Sequence, residues 1–198
     1  MKKIFLYLFL YSLYSIAQQQ SDPNIHYPVP TLRNPDSIRT IRIAAVGDLM
    51  CHSPQFQYSQ VTKDSFDFVP VFRYINKYLK DADFTLGNLE TVTAGKDKKY
   101  SGYPMFNSPD EFISAVKTAG FNLVTTSNNH ALDRGEFGIN RTITQLIKNN
   151  LNYTGTFTSQ HDRDSIRIFD IKGIKTACHS FHRNRKGKQF LFLLYQIS

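Results

Sequence analysis

The chain has 198 residues, of which 41% are hydrophobic, a length that favours one α/β domain with a buried core over two domains. Its formal net charge of +8 overstates the charge of the body, because six of its 24 basic residues lie near the two ends. These six are Lys2, Lys3, Arg183, Arg185, Lys186 and Lys188. The remaining 18 basic residues face 16 acidic ones, a balance that argues against a nucleic-acid partner.

The first residues, MKKIFLYLFLYSLYSIAQQQ, combine two lysines, an apolar run and small residues before Gln18. We predict an export signal over residues 1–17, cleaved after Ala17, with an uncleaved membrane anchor as the alternative. Both readings place the domain outside the cytoplasm, in the periplasm or at the cell surface. Residues 18–40 carry four prolines and no helix or strand period, which predicts a flexible arm.

Beyond the arm, short apolar runs alternate with segments of helical spacing. We predict four strands of one sheet at 41–48, 82–88, 121–127 and 151–156, the first of them buried. Helices are predicted at 66–80, 108–120 and 138–150, and two more strands within 165–175, joined at Lys172-Gly173. Strands that alternate with helices indicate an α/β fold with a mostly parallel sheet.

The helix at 108–120 has the strongest terminal signals in the chain. Ser108 is placed to act as N-cap, Pro109 stands at the first helical position and Glu111 follows three residues after the cap. Gly120 supplies the residue that ends a helix in the left-handed conformation.

Three of the predicted strands end in side chains that bind metals or substrates. In parallel sheets, ligand sites lie beyond the carboxyl ends of the strands, so we expect these groups to converge. The side chains are Asp48 after the first strand, Asn88 and Glu90 after the second, and Asn128, Asn129, His130 and Asp133 after the third. Taken singly, each is more simply explained as the cap of a turn or helix.

These donors suit Mn²⁺, Fe²⁺, Zn²⁺ or Mg²⁺ better than metals that seek thiolates. A divalent metal there would polarise a phosphoryl or carbonyl oxygen and lower the pKa of a bound water. His130 then serves either as a ligand or as a proton donor whose tautomer Asp133 fixes.

The stretches IRIAAVGDLM, ADFTLGNLET, FNLVTTSNNHALDRGEFGI and TITQLIKNNLNYTGT closely resemble, in order and spacing, the CapA-type capsule-synthesis domain associated with poly-γ-glutamate production. That family is related to the calcineurin-like metallophosphoesterases, whose fold is a sandwich of two β-sheets flanked by helices. The resemblance covers residues 41–175. It implies an incomplete version of that α-β-β-α fold with a mostly parallel sheet, because the later half of the family domain is not recognisable.

The resemblance also implies roles for individual residues. Asp48 matches the first metal-binding aspartate, whereas Met50 stands where the enzymes carry a histidine. Asn88 stands where they carry a bridging aspartate, and Glu90 is a candidate to supply the lost charge. Asn129 and His130 match the pair that binds metal and steadies the transferring phosphoryl group.

From this we take His130 and Asp133 as candidate catalytic residues, and Asn88 and Asn128 as candidate substrate-binding residues. The candidate metal ligands are Asp48, Glu90, Asn129 and His130. His52 is a possible replacement for the histidine absent at position 50, although a histidine on a surface turn is the simpler explanation.

Residues 176–198 are basic and then apolar, without the strand pattern that the family predicts. We expect an atypical tail from a truncated or frameshifted gene product, with a divergent natural terminus as the alternative. Cys51 and Cys178 are expected to be separate buried thiols, with a disulfide as the alternative.

Three functions follow as hypotheses. The first is an exported protein that acts in synthesis, export or anchoring of an anionic capsule polymer such as poly-γ-glutamate, with the polymer or its membrane synthase complex as partner. The second is a metal-dependent phosphoesterase, and the third is an inactive fragment.

Overall fold

The structure, a computed structural model, describes residues 39–182 and 190–196. The predicted signal at 1–17 and nearly all of the predicted arm at 18–40 lie outside the described residues. Within the described residues, no helix is both long and apolar enough to cross a membrane.

The central layer is a four-stranded parallel sheet. Its strands are β1 (Ile43–Leu49), β4 (Phe84–Leu89), β5 (Leu123–Thr125) and β6 (Asn152–Thr154), hydrogen-bonded in that order. All three pairings are parallel, which confirms the α/β class with a mostly parallel sheet. The prediction that the first strand is buried is wrong: β1 stands at one end of this order, and Ile43 and Ala45 are exposed.

A second sheet contains the antiparallel strands β7 (Ile168–Ile171), β8 (Ile174–His182) and β9 (Phe190–Gln196). The turn between β7 and β8 lies at Lys172-Gly173, as predicted, with φ angles of 52° and 81°. Strand β8 continues past Lys175 and pairs with β9, so the predicted boundary between domain and tail falls within a strand. The sequence pattern predicts β7 and the start of β8 but not the rest of β8 or β9, because a basic stretch separates these two segments.

A small hairpin and five helices complete the described fold. The hairpin pairs β2 (Gln60–Thr62) with β3 (Ser65–Phe66). The helices are α1 (Ser53–Tyr58), α2 (Asn76–Asp81), α3 (Glu111–Ala119), α4 (Gly135–Lys148) and α5 (Gln160–Asp164), and short 3₁₀ turns cover Val69–Phe72 and Lys96–Lys98.

The prediction of one continuous helix over 66–80 is wrong. Phe66 pairs with Gln60 in the hairpin, and a 3₁₀ turn precedes α2. Pro70 explains the break, because it has no N–H to donate to the carbonyl of residue 66.

The predicted end of α3 is confirmed, since Gly120 caps the helix with a φ of 115°. Its predicted start is two residues early, because the N-cap is Asp110. The Ser108 hydroxyl instead bonds the hydroxyl of Thr91 at 2.7 Å in the interior.

The core lies on both faces of the parallel sheet. On one face, buried side chains of α2, α3 and α4 pack against Leu89, Phe121 and Val124. On the other face, Phe84, Leu86 and Leu123 pack against Ile171 and Cys178 of the antiparallel sheet. The described layers are therefore helices, a parallel sheet and an antiparallel sheet, and every strand of the parallel sheet delivers its last residues to the same edge.

Candidate functional site

The strand register aligns three polar residues at the carboxyl edge of the parallel sheet. Asp48 of β1 is the neighbour of Asn88 of β4, and Asn88 is the neighbour of Thr125 of β5. Side chains in register on adjacent strands point to the same face, so these three form a continuous row. The sheet geometry alone therefore assembles the first part of the site.

Asn128, in the loop after β5, has an orientation that backbone atoms determine. Its Nδ2 donates to the carbonyl of Leu89 at 2.8 Å, and its Oδ1 accepts from the backbone N–H of His130 at 3.1 Å. A carbonyl only accepts and an N–H only donates, so the amide cannot be turned over. The same Nδ2 donates to Asn88 Oδ1 at 3.2 Å, which fixes Asn88 in turn.

Asn88 is the centre of the network, and all four of its hydrogen-bonding positions are filled. Its Oδ1 accepts from Thr125 and Asn128, each at 3.2 Å. Its Nδ2 donates to Asp48 Oδ1 at 2.8 Å and to Glu90 Oε2 at 3.0 Å. A neutral amide therefore joins the two carboxylates, at a residue that is only 2% exposed.

His130, which follows β5 and Asn128, completes the cluster. Its Nδ1 lies 2.8 Å from Asp133 Oδ2, which also accepts the backbone N–H of Phe106 at 2.6 Å. A carboxylate acceptor places the ring proton on Nδ1 in the neutral imidazole and leaves Nε2 as an acceptor. That Nε2 lies 4.0 Å from Glu90 Oε1, beyond hydrogen-bond length.

The loop 101–107, which contains none of the predicted site residues, supports this histidine. The Phe106 and His130 rings pack edge to face, with centroids 4.6 Å apart. Arg134 holds the loop through the Ser101 hydroxyl at 2.6 Å and the Met105 carbonyl at 3.2 Å. The sequence places Arg134 beside Asp133, but it contains no pattern that indicates which loop these two side chains contact.

Six of the predicted site residues come together and one does not. The converging residues are Asp48, Asn88, Glu90, Asn128, His130 and Asp133, and four of them are at most 8% exposed. Asn129 is exposed, and it is Asn128 that bonds within the cluster. His52 is also exposed; it is the N-cap of α1, its backbone N–H donates to Gln55, and its ring packs on Phe106 with centroids 5.0 Å apart.

The arrangement does not fit a metal centre. Among the described residues, no group of three or more His, Cys, Asp or Glu side chains is placed to hold a metal ion. The Nδ2 group of Asn88 occupies the position between Asp48 and Glu90 that a bridging cation would need. An amide N–H is a donor and repels a cation, so a bridging cation does not fit at this position.

A cavity of about 180 Å³ opens beside the cluster. Asp48 lines it on one side, and Val71, Phe72 and Phe112 contribute apolar walls. Cys51 also lines the cavity, but burial raises the pKa of its thiol to about 12 against a weaker opposing hydrogen bond with Ser108. The thiol is thus protonated at neutral pH and is not a nucleophile.

The cysteines are separate buried thiols, as predicted, since both are free in the structure. Cys178 lies in the second sheet, and burial raises the pKa of its thiol to about 11.

A second, more polar pocket of about 580 Å³ lies along the loop after β4. Lys96, Lys98 and Arg141 line it together with Phe137. The ammonium group of Lys98 lies 5.3 Å from the centre of the Phe137 ring. Arg141 pairs with Asp110, and this hydrogen bond raises the pKa of the guanidinium, so its charge is permanent.

Together, the fold and the site define an α/β protein with a hydrogen-bonded carboxylate, amide and imidazole cluster at the carboxyl edge of its parallel sheet. Residues 42–191 match the family described as bacterial capsule synthesis protein PGA_cap. The chain therefore belongs to this family of bacterial capsule synthesis proteins.

Two curated relatives carry related names. The capsule biosynthesis protein CapA of Bacillus anthracis is 32% identical over 115 residues, which cover 56% of this chain and 28% of that protein. The PGA biosynthesis protein CapA of Bacillus subtilis (strain 168) is 26% identical over 148 residues, covering 73% of this chain and 38% of that protein. The chain thus spans less than two fifths of the length of either relative.

Proposed function

We propose that this protein acts outside the cytoplasm in the synthesis, export or anchoring of an anionic capsule polymer such as poly-γ-glutamate. The family membership and the names of the two CapA relatives support this proposal. The observation that carries it is the cluster around Asn88, which joins Asp48, Glu90 and Asn128 at the edge where the family motifs meet.

The chemistry of such a polymer matches two neighbouring features. Its repeating amides supply N–H donors, which suit an acceptor such as His130 Nε2 at the edge of the sheet. Its carboxylates need cations, and Lys96, Lys98 and Lys99 stand exposed in the loop that follows β4 and Glu90. These lysines thus attract the polymer carboxylates locally, although basic and acidic residues are nearly equal in number over the body of the chain.

We expect the folded chain to bind poly-γ-glutamate, with an affinity that falls as salt is added, because exposed lysine–carboxylate pairs are screened. Replacing Lys96, Lys98 and Lys99 together with glutamine is expected to weaken binding about tenfold, from three exposed pairs of about 0.5 kcal/mol each. Isothermal titration calorimetry measures both effects.

The matched control replaces Lys63, Lys148 and Lys175 with glutamine, since these lysines are also exposed but lie elsewhere in the chain. This control changes the net charge by the same amount and should bind like the wild type. Equal weakening in both triple variants would show attraction by net charge alone, and no binding by the wild type would remove polymer binding from the proposal.

The alternative function is a metal-dependent phosphoesterase. The convergence of Asp48, Glu90 and His130 favours it, whereas the Asn88 amide disfavours it. We expect no hydrolysis of phosphomonoesters or phosphodiesters with added Mn²⁺, in an assay that compares wild type with His130→Ala. Turnover by the wild type that the substitution abolishes would establish the alternative instead.

A further inference from the structure

The segment that leads from the 3₁₀ turn into α2 exposes an unusual row of apolar side chains. Val71, Tyr74, Ile75 and Tyr78 are 47%, 72%, 43% and 66% exposed. All four lie within residues 71–78, which run from the 3₁₀ turn through a further turn into α2. Hydrogen bonds from Ile75 N–H to the Phe72 carbonyl and from Tyr78 N–H to the Ile75 carbonyl form successive turns along this stretch.

This exposed face is additional to the one that holds the segment to the domain. Phe68, Phe72 and Leu79 supply the inner face and are at most 5% exposed. A helix at the surface of a domain normally has one apolar face and one polar face. Packing against the core therefore does not explain the exposed apolar side chains. An exposed apolar patch of this kind indicates a binding partner.

The charge of the segment identifies the kind of partner. Between Asp67 and Asp81, every ionisable side chain except those of the tyrosines is basic: Arg73, Lys77 and Lys80. The guanidinium of Arg73 lies 4.4 Å from the Tyr74 ring centre, and the ammonium of Lys77 lies 4.7 Å from that of Tyr78. Aromatic rings paired with cations beside aliphatic side chains suit the boundary between anionic headgroups and acyl chains.

We propose that the face formed by Val71, Tyr74, Ile75 and Tyr78, with Arg73 and Lys77, binds the surface of an anionic lipid bilayer. Val71 and Phe72 also line the cavity beside the candidate site, and Asp48 of that site lines the same cavity. Binding through this face consequently brings the mouth of that cavity close to the lipid headgroups. This proposal does not depend on the identity of the polymer.

A local fluorescent reporter tests the proposal, because the apolar N-terminal run is able to bind lipid on its own. The chain contains no tryptophan, so Tyr78→Trp creates a single reporter in the full chain. We expect its emission to shift to the blue with phosphatidylglycerol vesicles and to be quenched by brominated lipid. The matched control is Ile147→Trp on α4, an exposed position that should report neither effect. Tyr74→Trp serves as a second reporter should Tyr78→Trp fail to fold.

Replacing Arg73 and Lys77 with glutamine in the reporter variant should weaken the vesicle interaction about fivefold for each charge removed. Equal binding to phosphatidylcholine vesicles, or equal quenching of the Ile147→Trp control, would overturn the proposal. So would a blue-shifted Tyr78→Trp spectrum without vesicles that depends on protein concentration, since that result assigns the face to contact between two copies of the chain.

Discussion

Replacing Asn88 with aspartate is expected to lower the free energy of unfolding by about 3 kcal/mol in a buffer that contains a chelator. The substitution removes the two hydrogen bonds that Nδ2 donates to Asp48 and Glu90. It also places a third carboxylate against two others, at a position that is 2% exposed. Urea denaturation of the two proteins measures the loss.

The same substitution should create a binding site for a divalent cation. Three carboxylates and the His130 imidazole form a donor set that suits Mn²⁺. Mn²⁺ at a hundred times its dissociation constant should therefore raise the free energy of unfolding of the variant by about 2.7 kcal/mol. Wild-type protein, with an amide at this position, should gain nothing from Mn²⁺. A wild type that Mn²⁺ stabilises as strongly would show that the native site holds metal after all.

Asn129→Asp is the matched control for Asn88→Asp. It makes the same change of charge 41 positions further on, at an exposed residue. We expect its stability to stay within about 0.5 kcal/mol of the wild type, with or without Mn²⁺. Comparable losses in the two variants would mean that the added charge, and not the bridge between Asp48 and Glu90, is responsible.

The location of the site was predictable from sequence because it depends on the alternation of strands and helices along the chain. Parallel strands deliver their carboxyl ends to one edge, so strands near 41–48, 82–88 and 121–127 bring Asp48, Glu90 and His130 together. The adjacent pairs Asp48–Asn88 and Asn88–Thr125 then follow from register. Local propensity and connection rules were sufficient for this much.

The details of the site were not predictable, because they depend on contacts remote in sequence. The choice of Asn128 over Asn129 is set by the carbonyl of Leu89, 39 positions away. The supporting contact from Asp133 to Phe106 crosses 27 positions and gives no local pattern. Ser108 likewise has the sequence pattern of an N-cap, but its hydroxyl bonds that of Thr91 in the interior.

Loss of the Asp133 carboxylate is expected to have the second large effect. In Asp133→Ala, the buried N–H of Phe106 and the Nδ1 of His130 both lose their acceptor. An unsatisfied buried donor costs about 1 to 3 kcal/mol, so we expect a loss of about 3 kcal/mol in the free energy of unfolding. Polymer binding should weaken as well, since His130 is no longer held against the Phe106 ring.

Asp133→Asn separates hydrogen bonding from charge in this contact. The amide oxygen is able to take the position of Oδ2 and accept both donors, so we expect a loss below about 1 kcal/mol. Glu136→Ala, at an exposed residue in the first turn of α4, removes the same charge as Asp133→Ala and should be nearly neutral. Urea denaturation of the three variants distinguishes the explanations, because equal losses in Asp133→Asn and Asp133→Ala would mean that charge, not an oxygen acceptor, holds the loop to the histidine.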